Sequence, residues 1–75
     1  MKINYTAIAK HQQKRMTDMI NFIVDGVTNK ESLQSKIEEK FAIVFPKLTL
    51  TVTVEEIKNG DNVEYVVNVA GKPII

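Results

Sequence analysis

The apolar residues of this 75-residue chain change period near Pro46. Upstream they recur every three to four positions, as on one helix face. Downstream they recur every second position, as on one sheet face. The switch predicts helices first and strands second around a shared core. The expected fold is α+β, two helices followed by an antiparallel β-hairpin (ααββ), with residues 1–75 forming a single small domain.

Met16, Met19, Ile20, Ile23 and Val27 make the stripe of the first helix, and Phe22 widens it on one side. His11, Gln12 and Arg15 interrupt that stripe toward Ile8, so the front of the helix is less buried than its back. Thr6 stands where a cap would accept an orphan amide, without a box partner at Ala9. Met1, Ile3, Tyr5 and Ala7 alternate with Lys2, Asn4 and Thr6, which is also a strand pattern. A strand there would turn a two-stranded ribbon into a three-stranded sheet. Coil running into helix is the expectation. Asp25-Gly26 and Thr28-Asn29 separate the helices, and Thr28 with Glu31 has capping-box spacing. Leu33, Ile37, Phe41 and Val44 share the face of the second helix, which Pro46 ends by disfavouring helix at Phe45.

Leu48, Leu50, Val52 and Val54 alternate with Thr49, Thr51, Thr53 and Glu55, and Val63, Tyr65, Val67 and Val69 repeat the pattern. Asn59-Gly60 between them favours a type I′ turn. With those two as the turn, Val54 faces Tyr65, Val52 faces Val67 and Leu50 faces Val69. Leu50, Val52, Val54, Tyr65, Val67 and Val69 then lie on one face, at the cost of Glu55 opposite Glu64. Ala70-Gly71-Lys72-Pro73 reads as a second turn, with Ile74-Ile75 returning as a strand stub or meeting a partner.

Composition narrows the function classes. At 44% hydrophobic residues, a chain of this length buries only about 60% of its unfolded surface, and it has no cysteine to staple the fold. A homodimer would supply the missing burial. No apolar run approaches the roughly 20 residues of a membrane span, and the start lacks a signal-peptide core. A cytoplasmic location is the expectation. A net charge of +1 is too small for a general polyanion binder. Nine lysines against one arginine, with many Ile and Asn, suit AT-rich coding and hence a phage, plasmid or bacterial source.

Catalytic chemistry finds no foothold. His11 is the only histidine and has no neighbouring ligand set for a metal. Ser32 and Ser35 sit in the first turns of a helix rather than at a nucleophile elbow. Glu38 and Glu39 diverge by about 100° on a helix. The glycines are isolated at turns, so none forms a phosphate loop. The chain reads as non-catalytic, without cofactor or metal.

Two surfaces remain. Lys10, His11, Lys14 and Arg15 form a basic strip on the first helix, suited to phosphates. No aromatic residue is interleaved for base stacking, and Lys14 has Asp18 at i+4 as an ordinary ion-pair partner. The other surface is the polar face of the hairpin, Thr49, Thr51, Thr53, Val66 and Asn68, continued by Ile74 and Ile75. It is flat and weakly charged, beside a sheet edge open to strand addition. Glu55, Glu56, Asp61 and Glu64 form an acidic rim. The expectation is a small protein-binding or regulatory protein. A nucleic-acid-binding module using the basic helix is the alternative.

Overall fold

The computed structural model describes residues 1–72. The elements are β1 (Lys2–Thr6), α1 (Lys10–Val24), α2 (Lys30–Val44), β2 (Thr49–Asn59) and β3 (Asn62–Lys72). The fold is α+β, but its order is βααββ rather than ααββ. The three strands make one mixed sheet in the order β1-β3-β2, with β1 parallel and β2 antiparallel to β3. Ile74 and Ile75 lie outside the described residues.

The N-terminal alternation is therefore a strand and not coil. Ile3 pairs with Val67 and Tyr5 with Val69, which puts both side chains on the helix-facing side. Local sequence leaves that choice open because the partner lies 64 residues away, and only the exposed edge of β3 decides it. The first helix starts later than Thr6 suggested, because Thr6 belongs to β1. Its N-cap is Ala9, without a side-chain cap. Gln13 Nε2 instead donates to the Ile8 carbonyl at 2.8 Å and ties the first turn back to the connection. Ala7, at φ 57°, takes the left-handed region that redirects the chain from strand to helix, at about 1–2 kcal/mol.

In α2 the cap is Asn29, whose Oδ1 accepts from the Ser32 amide at 2.8 Å, so the Thr28–Glu31 box is displaced by one residue. Leu33, Ile37 and Phe41 are buried as their spacing requires, and the helix ends at Val44 before Pro46. In α1 Met16 and Ile20 are fully buried, whereas Phe22 is 86% exposed and does not widen the stripe. Val52 and Val54 of β2 and Val67 and Val69 of β3 close the core from below.

The hairpin turn is Gly60-Asp61, one residue later than Asn59-Gly60. Asn59 pairs with Asn62, Val54 with Val67 and Val52 with Val69. Gly60 has φ 61° and Asp61 does not share the positive φ, the pattern of a type II′ turn. The register moves by two, so side-chain parity survives and the same residues face the core. The shift also removes the Glu55–Glu64 pairing, since Glu55 now faces Val66 and Ile57 faces Glu64.

No turn forms at Ala70-Gly71-Lys72, which continue β3. Gly71 sits under the β1–α1 connection, where a Cβ would lie 2.7 Å from the Ala7 carbonyl oxygen. The helices are about 22 Å long at 1.5 Å per residue, and the 11-residue strands about 37 Å. The hairpin tip thus outruns the helical layer, which gives an elongated molecule of 45 × 20 × 18 Å.

Tyr5 couples the first strand to the helices. Its hydroxyl and Thr17 Oγ1 are 2.6 Å apart. Burial raises the phenol above its usual pKa, the Thr17 bond offsets part of this, and Asp18 adds to the rise. A raised folded-state value leaves stability intact below pH 10 and removes it as pH climbs through the folded pKa. Tyr5→Phe should therefore flatten the alkaline limb of stability while costing about 1 kcal/mol at neutral pH. Urea melts at pH 7 and above 10 check this, and an equally steep alkaline loss in the variant contradicts it.

Candidate functional site

Both helices pack on one face of the sheet, so the other face is built only from strand residues of opposite parity. In β2 these include Thr49, Thr51, Thr53, Glu55 and Ile57, all exposed. In β3 Val66 and Asn68 are half-buried, paired across the ladder with Glu55 and Thr53. β1 adds Lys2, Asn4 and Thr6, in register with Val66, Asn68 and Ala70. Asn4 Nδ2 donates to Asn68 Oδ1 at 2.9 Å, which locks the third strand to the face. Sequence reasoning left out these β1 residues. Their signal was the N-terminal alternation, and a pairing partner was needed to read it.

The surface that results is rich in β-branched residues and low in net charge. Such side chains lose little rotamer freedom when covered. The acidic rim is split by the new register. Asp61 and Glu64 lie at the turn end of β3, and Glu64 Oε1 is 3.6 Å from the Met1 amine. Ile57 and Val63 are 45% and 47% exposed near the tip, so the overhanging arm carries apolar side chains as well.

The basic strip lies on the other layer. Lys10, His11, Lys14 and Arg15 are all exposed on α1, and the first turn of that helix holds no acid. The Lys14–Asp18 ion pair does not form; among the described residues the one ion pair within 4.0 Å is that of Met1 with Glu64. Arg15 is held by tertiary structure, its guanidinium 5.2 Å above the ring of Phe45. Phe45 is in turn buried edge-to-face against Phe41, with ring centroids 5.6 Å apart. A stacked guanidinium loses less freedom on binding an anion and keeps its N–H edge outward. The spacing of α1 gave no sign of this, because Phe45 comes from the far end of α2.

His11 stays on the surface, Ser32 lies behind its cap and Ser35 is exposed. Among the described residues no group of three or more His, Asp or Glu is close enough to hold a metal ion. No described helix is long and apolar enough to cross a membrane. Comparison with protein-family models, curated proteins and solved structures finds no match.

Proposed function

We propose that this chain is a non-catalytic protein-binding module, an accessory or regulatory factor of phage, plasmid or bacterial origin, whose sheet meets a second copy of itself. One observation carries the reading. The helices cover a single face of the sheet, and the opposite face is a field of low net charge running from Lys2 through Val66 and Asn68 to Thr51 and Thr53. A second copy would also supply the burial that a domain of this size lacks.

The test is Thr51→Lys combined with Val66→Lys. Neither side chain contributes to the core, so the monomer should keep its helical and strand signal by circular dichroism. Self-association measured by sedimentation should weaken roughly tenfold or more, because four lysines would face one another across a two-fold contact. A dimer that survives the double change at full strength removes the sheet face from consideration.

A second reading has its own observation, the stacked Arg15. Lys10, Lys14 and Arg15 would serve as phosphate contacts of a nucleic-acid-binding surface. Binding should then fall steeply with salt, by about one counterion per basic residue. It should vanish when all three become glutamate. A titration with single- and double-stranded DNA and RNA at low and physiological salt decides the matter. No binding at low salt ends this reading.

A further inference from the structure

The outer edge of β2 is open at one place and closed at another. Because Asn59 and Asn62 bracket a two-residue turn, they form a hydrogen-bonded pair, and such pairs recur at every second residue. Thr51 and Thr53 therefore turn their N–H and C=O groups toward β3. Leu50, Val52 and Val54 turn theirs outward, away from the sheet. The amide of Val54 confirms this parity by donating to Gln34 Oε1 of α2 at 3.2 Å. Among the described residues no such partner meets Leu50 or Val52 on that side.

Those two residues face a cleft of about 220 Å³ between β2 and α2, walled by Phe41, Ala42, Leu48, Leu50 and Val52. That is space for several waters at about 30 Å³ each. Val52 is only 4% exposed, so its free backbone groups point into a sheltered slot, lined by apolar side chains and one carboxylate, rather than into bulk solvent. A buried N–H or C=O without a partner is costly and is satisfied wherever a partner can reach it. Glu38 is the one charged group in the lining.

We propose that this cleft takes an extended segment of a partner protein, apolar at alternate positions and carrying a lysine or arginine for Glu38. The segment adds antiparallel to β2 along Thr49–Thr53, because the Leu48 amide is held by the Phe45 carbonyl at 3.1 Å and the Gln34 side chain ends the pairing at Val54. Because Gln34 meets Val54 and Glu38 stands one helical turn beyond Gln34 on the same face of α2, Glu38 lies toward the Val52 side, so the basic residue belongs near the N-terminus of the segment. About five residues fit this length. The inference deepens the protein-binding reading by naming a partner chemistry. It stands on the β2 edge and not on the threonine face, so the two can fail separately.

The probe is the capped peptide acetyl-Thr-Lys-Thr-Val-Thr-Val-Thr-amide, titrated into the full chain and followed by ¹H–¹⁵N NMR. In the free protein, amide exchange should be fast at Leu50 and Val52 and slow at Thr51 and Thr53. The peptide should bind with a dissociation constant below about 1 mM and move the amides of Ala42, Leu50 and Val52. Replacing its lysine with glutamate should weaken binding about tenfold, and N-methylating its edge-facing amides should abolish it. Ala42→Glu fills the slot from an exposed position and should block the peptide without altering self-association. Absence of binding at 1 mM, equal binding of the N-methylated peptide, or shifts confined to Thr51 and Val66 each overturn the proposal. Loss of the dimer in Ala42→Glu would also overturn it, by assigning the cleft to a second copy.

Discussion

Phe41→Ala should unfold this domain at or near physiological temperature. Phe41 is 2% exposed and stands where α2 meets the sheet, edge-on to Phe45. Truncating a buried phenylalanine costs about 3–5 kcal/mol, the lost transfer energy plus the cavity left behind. A 75-residue domain has about 4–11 kcal/mol in total, at 0.05–0.15 kcal/mol per residue. One substitution thus removes a large share of the stability. It also loosens Phe45, the platform under Arg15. Phe22→Ala is the matched control: the same residue type at 86% exposure should change stability by less than about 0.5 kcal/mol. Thermal melts of both variants decide the point. A drop under about 10 °C for Phe41→Ala would show that the core is not centred on this ring.

Gly71→Ala should detach the first strand. Its Cβ would lie 2.7 Å from the Ala7 carbonyl oxygen and 2.8 Å from Ile8 Cδ1. The isoleucine methyl can move aside, but the carbonyl belongs to a backbone already turned through φ 57° at Ala7. Relief therefore requires β1 and the start of α1 to shift away from β3. Overpacking of this kind costs about 1–3 kcal/mol, and the damage should be local. Amides of Lys2–Thr6 should exchange faster while the β2–β3 ladder keeps its protection. Gly26→Ala is the control, since its nearest neighbour is 3.8 Å away and its φ is ordinary. Uniform loss of protection across all three strands would mean that β1 and the hairpin unfold as one unit.

These contrasts mark how far the chain could be read in one dimension. Helix α2, with Leu33, Ile37 and Phe41 inward and Pro46 at its end, followed from spacing and backbone sterics alone. The assignment of Val52, Val54, Val67 and Val69 to the core face held although the turn moved by one residue, because parity is preserved when a register shifts by two. The exact turn did not follow. Asn59-Gly60 and Gly60-Asp61 are both acceptable locally, and the pairing of glutamates across the ladder separates them. Phe22 and Phe41 are chemically identical, and only the direction in which each helix face meets the sheet buries one and leaves the other in water.

The candidate surfaces divide the same way. The strip from Lys10 to Arg15 and the row Thr49, Thr51 and Thr53 were legible because each lies within one element of known period. The third strand of the sheet face, the ring beneath Arg15 and the cleft beside Val52 were not. Each joins residues from distant parts of the chain. What the sequence by itself determined was periodicity: which residues turn inward and where helices give way to strands. Tertiary structure decided the partners. β1 lies against β3, Arg15 over Phe45 and Gln34 against Val54, because long-range pairing satisfies backbone groups and buries surface that no local pattern specifies.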